Sequence, residues 1–204
     1  MAIALDTSTN SGGNTTYAHT CAATANLIVL ATAAGDITGL PSSITYAGVS
    51  MTNLVSQTGG NYGAAIWYLL NPTAGANNIV ISGPANQWCT SYSFIGANVG
   101  TTFADSDKTN VVSNSVATVT LDSFENGYTL YATGGKWYMD GGSISMSAGL
   151  TASYETNSPP YTQEIGYGAD VTTVTATQSA WCFNIVLVAC KIRPAPVASS
   201  PIWW

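Results

Sequence analysis

The chain has 204 residues, 46% of them hydrophobic and only 7% charged, with four Lys and Arg against ten Asp and Glu and a formal net charge of −6. That length makes one domain, or at most two small ones, with a sizeable core. So apolar and charge-poor a composition excludes intrinsic disorder, and the acidic balance excludes a protein that grips a phosphate backbone.

The opening Met-Ala-Ile-Ala-Leu-Asp has no basic n-region and no long apolar h-region, so no secretory leader is expected. Residues 1–14 are polar, end in Ser-Thr-Asn-Ser-Gly-Gly-Asn and read as an N-terminal arm. Tyr17, His19 and Cys21 alternate with small residues in a first strand, and Asn26 leads into Leu27–Thr32, apolar enough for a buried strand. A loop follows over 35–42, with Gly39 and Pro41. Ile44–Tyr46 turns at Ala47-Gly48 into Val49–Met51, which predicts a tight hairpin. After Gln57-Thr-Gly-Gly-Asn, the run Ala64–Leu70 is apolar on both faces. Such a strand needs core on one side and a neighbouring surface on the other, and self-association is the expected source of that second cover. Asn77–Ile81 and Gln87–Ile95 complete this stretch as strands.

Residues 96–110 are turn-rich and hold Asp105, Asp107 and Lys108. Val111–Leu121 alternates as a strand, Tyr128–Ala132 is a short one, and Lys136–Asp140 lies between two Gly-Gly pairs as a small hairpin or flap. Ser143–Tyr154 alternates again, 156–168 with Pro159-Pro160 reads as a loop, and Val171–Thr177 alternates Val and Thr. Trp181–Arg193 is the last and longest strand; Pro194 and Pro196 stop it and open a tail over 194–204. Its apolar run is broken by Asn184 and too short to cross a bilayer. Nowhere does a helical stripe persist. About ten short strands at regular spacing predict an all-β, antiparallel β-sandwich over residues 15–193.

The chemistry-bearing residues are few. His19 is the single histidine, and in an alternating strand without triad partners it reads as structural. Asp105 and Asp107 are the weak candidates for a hard cation such as Ca²⁺, but lack the Gly and Glu of an EF-hand and read as solvated turn residues. Among the carboxylates Asp122, Glu125, Asp140, Glu155 and Glu164, the pair Glu155 and Glu164 is the best placed for glycoside hydrolysis, yet nothing distinguishes it. No enzyme, cofactor or metal is therefore expected. The four cysteines, Cys21, Cys89, Cys182 and Cys190, form no CxxC pair, and without a leader free buried thiols are favoured over disulfides. Trp137, Tyr138, Tyr154, Tyr161 and Tyr167 lie in or beside loops, as a sugar-stacking platform or as a seal for the sandwich or an oligomer contact; Trp67, Trp88 and Trp181 read as core. Pro194, Pro196 and Pro201 stiffen the tail, whose Ile202, Trp203 and Trp204 read as a docking peptide.

Several segments together resemble a recurrent β-sandwich module of phage virion proteins and bacterial surface or secreted proteins. They are Thr16-Tyr-Ala-His-Thr-Cys running into Asn26-Leu-Ile-Val-Leu, Ile44-Thr-Tyr-Ala-Gly-Val-Ser-Met-Thr, Ile66-Trp-Tyr-Leu-Leu-Asn-Pro, Ser93-Phe-Ile-Gly-Ala and the closing Ala180 to Pro194. The resemblance spans residues 16–194 and implies a jelly-roll-like fold without catalytic residues. The four cysteines, the absent leader and the Trp-Trp tail depart from it. The expectation is a non-enzymatic structural protein of a phage virion, a capsid decoration or fibre-like subunit that forms a homo-oligomer, for example a trimer, and docks on other virion proteins. No nucleic-acid or membrane partner is expected. The alternatives are a carbohydrate-binding module, whose partner is a glycan, or a bacterial surface or filament subunit, which would be extracellular or on the cell surface.

Overall fold

The computed structural model describes residues 2–34, 39–60, 62–83, 87–112, 115–123, 126–137, 143–156, 161–179 and 182–196. Among them there is no helix, and seventeen strands form four antiparallel sheets. The expected antiparallel β-sandwich is there, with more strands than periodicity suggests.

The first half holds β1 (Ala4–Asn10), β2 (Thr16–Cys21), β3 (Ala25–Ala34), β4 (Ser43–Tyr46), β5 (Val49–Ser50), β6 (Thr52–Gly59), β7 (Tyr62–Leu70), β8 (Gly75–Ser82) and β9 (Gln87–Ile95). They make a five-stranded sheet in the order β1-β9-β3-β7-β6 and a smaller one in the order β2-β8-β4-β5. The second half holds β10 (Phe103–Val112), β11 (Val116–Thr120), β12 (Tyr128–Trp137), β13 (Ile144–Met146), β14 (Thr151–Thr156), β15 (Tyr161–Ala169), β16 (Thr173–Gln178) and β17 (Cys182–Ile192). Its sheets run β10-β17-β12-β15-β14 and β11-β16-β13. The two orders coincide strand for strand, with β13 standing where the β4-β5 hairpin stands. Each half is a jelly roll, and the chain is a tandem of two.

Alternating side chains make this a stack of four layers with three cores, because residues i and i+2 of a strand share a face. Ile28, Leu30, Ala65, Trp67 and Cys89 meet Ile44, Tyr46, Ile79 and Ile81 inside the first jelly roll. Tyr131, Ile185, Leu187 and Ala189 meet Val119, Val174 and Ala176 inside the second. Between the jelly rolls, Leu27, Val29, Ala64, Ile66, Tyr92 and Phe94 face Leu130, Ala132, Ile165, Val186, Val188 and Cys190. Strand β6 lies against β10, β1 against β14, and β12 against β3 and β7, so the two five-stranded sheets stack about a pseudo-two-fold axis along the strands. This is the geometry of an isologous dimer carried by one chain.

The second face of Ala64–Leu70 therefore has its cover within the molecule. Ile66 faces the other jelly roll and Ala65 and Trp67 face their own small sheet, so this strand gives no reason for self-association. Other expectations change as well. Residues 4–10 are not an arm but edge strand β1, paired with β9. The polar stretch before Val111 is strand β10, and the expected strand 111–121 divides into the end of β10 and β11. Ser143–Tyr154 divides into β13 and β14 around a turn at 148–149. Most of the expected loop 156–168 is β15, an inner strand; a Cβ on Gly166 would meet the Thr151 carbonyl oxygen and lie 2.5 Å from the Tyr131 hydroxyl. That glycine marks close packing and not a turn. At Ala47-Gly48 the expected hairpin is present, both residues at positive φ (50° and 79°) as a type I′ turn requires.

Cys21, Cys89 and Cys190 are buried free thiols; the side chain of Cys182 lies outside the described residues. Two of them sit in the core of the first jelly roll and Cys190 in the core between the two. In native protein these three thiols should resist an aromatic disulfide reagent and react fully after denaturation. Rapid labelling of all of them in native buffer, or a peptide map joining Cys182 to Cys190, would contradict the strand assignments.

Candidate functional site

Strand ends of both jelly rolls converge at one end of this stack. In one five-stranded sheet Ala34 pairs with Gly63 and Gln87; in the other Lys136 pairs with Tyr161 and Asn184. A Cβ on Gly134 would lie 3.2 Å from the Ala34 carbonyl oxygen, so these ends face the same way. At the opposite end the Asn26 side chain donates to Ala97 O at 2.7 Å and accepts from Ala97 N at 3.1 Å, Ala97 bridges Pro194, and a small cavity opens between Ala2, Ile3, Gly127, Tyr128 and Asp170.

The loop-bearing end holds buried carboxamides. Gln87 and Gln163 are each 3% exposed, and Asn184 is 8% exposed. Both polar atoms of Gln87, Oε1 of Gln163 and Oδ1 of Asn184 have no hydrogen-bond partner among the described residues. A buried amide oxygen without a partner costs about 1–3 kcal/mol, so water or a neighbouring group is needed there. At the same end Trp88 stacks on Tyr154, ring centroids 4.6 Å apart and planes 14° from parallel. Trp88, expected as core, is half-buried instead, because it sits at the start of β9 where the sheets open.

Of the expected aromatic platform, only Tyr154 and Tyr167 have described side chains. Tyr154 packs on Trp88, and Tyr167 packs on Tyr92 at 5.8 Å and on Tyr128 at 5.7 Å, so both bridge the two jelly rolls. The side chains of Trp137 and Tyr161, and all of Tyr138, lie outside the described residues, as do Trp181 and the tail residues Ile202, Trp203 and Trp204.

Asp105 and Asp107 lie two apart on strand β10, not in a turn, and their oxygens are taken by backbone. Asp105 accepts from the N–H groups of Ser106 (2.7 Å) and Asp122 (3.0 Å), and Asp107 from those of Lys108 (2.7 Å) and Thr120 (3.4 Å). They tie β10 to the free edge of β11. Asp6 does the same job in the first jelly roll, accepting from Ala22 N–H at 2.8 Å just past the end of β2. No cluster of three potential metal ligands occurs among the described residues.

His19 is 1% exposed and lies under β1 and β9. Its Nδ1 is 2.9 Å from Ser91 Oγ and 3.0 Å from Thr9 Oγ1. Ser91 is itself fully buried and also donates to the Thr9 carbonyl oxygen at 3.2 Å. The network joins β2 to β1 and β9. Burial pulls the imidazole down from its ordinary 6.5 to about 4, against a weaker upward pull from Asp6.

Glu155 and Glu164 are directly opposite one another on β14 and β15. Glu164 is 5% exposed and accepts a 2.6 Å hydrogen bond from the Tyr131 hydroxyl. Burial raises its pKa, the Tyr131 bond opposes this, and Glu155 adds to the rise. Compared with known proteins, the chain matches no family model, no curated protein and no solved structure.

Two opposite pH effects follow. His19 binds a proton more readily in the unfolded chain, so stability falls as pH drops from about 6.5 toward about 4. His19→Gln should flatten the melting temperature across that window; an unchanged acid slope would contradict a neutral buried imidazole. Glu164 binds its proton more readily in the native state, so its contribution weakens as pH rises above the ordinary carboxyl range. Glu164→Gln should raise the melting temperature at pH 8 relative to wild type and give less benefit at pH 4. Equal effects at both values would mean the carboxylate is not strained.

Proposed function

We propose that this chain is a non-enzymatic structural subunit of a phage virion, a capsid decoration or fibre-like protein that acts by docking on neighbouring subunits. The observation that carries the reading is where charge is missing. Residues 1–98 contain no Lys, Arg or Glu and only two Asp, Asp6 and Asp36. A free soluble surface is typically about a quarter to a third charged, so a jelly roll this bare is suited to contact with other protein. Its ionisable groups support the same reading: Asp6, His19, Asp105, Asp107 and Glu164 hold strands together instead of converging on a cleft. Jelly rolls recur in viral capsids and in lectins, so the fold is compatible with either use and decides neither.

The second reading, a carbohydrate-binding module, is favoured by one place, the half-buried Trp88–Tyr154 stack at the loop-bearing end near unpartnered carboxamides. Glycan binding lost in Trp88→Ala with the fold intact would support it over docking.

Protein tagged in cells that produce the particles should co-sediment with intact particles at a fixed stoichiometry, and a freely soluble pool with none on particles would overturn the proposal. Removal of residues 201–204 should leave the melting temperature unchanged while attachment is lost. A lowered melting temperature with attachment intact would assign Trp203 and Trp204 to the chain's own core.

A further inference from the structure

Inside the first jelly roll, near its loop-bearing end, lies a cluster of buried polar groups that no described residue satisfies. Cys89 of β9 belongs to that core, and Gln87, two residues before it, shares its face. Thr32 of β3 follows Ile28 and Leu30 onto the same face and stands directly opposite Cys89. Gln87 stands opposite Ala34, one inward row closer to the strand ends. Gln87 is 3% exposed and Thr32 0%, yet Oε1 and Nε2 of Gln87 and Oγ1 of Thr32 have no hydrogen-bond partner. Tyr17 reaches the same place from β2. Burial and then the neighbouring Cys89 raise its pKa, and its enclosed hydroxyl is unpaired. On β7, Ala65 pairs with Thr32, and Trp67, one inward row deeper, holds an unpaired Nε1–H. Leu40 lies over the outermost row, since a Cβ on Gly63, the other partner of Ala34, would be 2.6 Å from Leu40 Cδ2.

We infer that this mouth of the first jelly roll is a binding site for a neutral polyhydroxylated ligand, a saccharide residue, held by Gln87, Thr32, Tyr17 and Trp67. Buried polar groups in a folded protein are paired, so several orphans gathered around one thiol mark a place for a polar guest. The chemistry of the set selects the guest. A carboxamide donates and accepts side by side, as two adjacent sugar hydroxyls require; the Thr and Tyr hydroxyls do both, and the indole N–H donates. None of these side chains is charged, and burial keeps the Cys89 thiol neutral by raising its pKa. An anion or cation would enter without a counter-charge. Ile44, Ile81 and Ala65 share the core and suit the C–H faces of a sugar ring. The site goes beyond the docking reading and does not rest on it. It is also separate from the Trp88–Tyr154 stack, because Trp88 points to the opposite face of β9 from Gln87.

The test is an NMR titration of the full chain with the methyl glycosides of glucose, galactose, mannose and N-acetylglucosamine, with methyl glucuronide as the anionic control. The side-chain amide signal of Gln87 is assigned by its loss in Gln87→Met. At least one neutral glycoside should shift that amide and the Trp67 indole signal to saturation and raise the melting temperature, as a ligand of the native state does. The glucuronide should do neither. Gln87→Met and Thr32→Val preserve shape and remove unpaired polar atoms, so each should melt at or above wild type while weakening binding at least about tenfold. If one of them does not fold, the other carries the comparison. A titration in which no neutral glycoside moves either signal means that water alone fills the mouth, and overturns the inference. Unchanged affinity in both variants overturns it as well. Binding that survives Gln87→Met and is lost in Trp88→Ala puts the saccharide on the aromatic stack, which refutes this site and supports the carbohydrate reading given above.

Discussion

The stacking of the two five-stranded sheets is the interaction on which the rest of the molecule depends. Strand β9 supplies much of it, with Phe94 edge-on to Tyr128 at 5.2 Å, Tyr92 edge-on to Tyr167 at 5.8 Å and Trp88 flat on Tyr154 at 4.6 Å. On the other side of the axis Tyr68 meets Phe103 at 4.9 Å. Each pair joins one jelly roll to the other, and aromatic pairs contribute about 0.5–1.5 kcal/mol each beyond their buried area. Without this core both sheets would present a wide apolar face to water. With it, inner strands such as β3, β7, β12 and β17 are buried on both faces, and near-continuous apolar sequences become compatible with a soluble surface.

The same stacking decides where the remaining chemistry lies. It turns the loop-bearing ends of both jelly rolls the same way and leaves buried carboxamides of Gln87, Gln163 and Asn184 there. It sends the two small sheets to opposite outer sides, where their Thr, Ser and Val rows face solvent. Repeated devices mark the equivalence of the halves. Both β1 and β10 carry a bulge near their start, opposite the end of β9 and β17, and both present an aspartate to the backbone beyond the next strand. The jelly rolls differ mainly in charge, since Lys108, Lys136, Lys191 and Arg193 all belong to the second.

Much of this was legible in sequence where a strand has one wet face or a turn has special residues. The alternation in Tyr17–Cys21 and Val171–Thr177 marks half-buried strands, and Ala47-Gly48 marks its hairpin, because period and turn chemistry are local properties. Strands whose composition answers to distant neighbours were not legible. β15 looks like a loop because Gly166 must admit the Tyr131 hydroxyl, and β10 looks like one because its aspartates serve the backbone of β11. Trp88 was misplaced for a related reason: strand membership does not tell how far along the strand the covering layer extends.

From the sequence alone come the all-β class, the antiparallel pairing, the absence of a helical stripe and the scarcity of charge, each a property of residues taken a few at a time. Only the tertiary structure decided that the second face of Ala64–Leu70 is covered from within, that Tyr154 and Tyr167 join the jelly rolls, and that Asp105 and Asp107 accept from the backbone of Asp122 and Thr120. An apolar face specifies that it must be buried and says nothing of what buries it. The choice between a partner molecule and the other half of the same chain is made by long-range stacking, which no window of sequence contains.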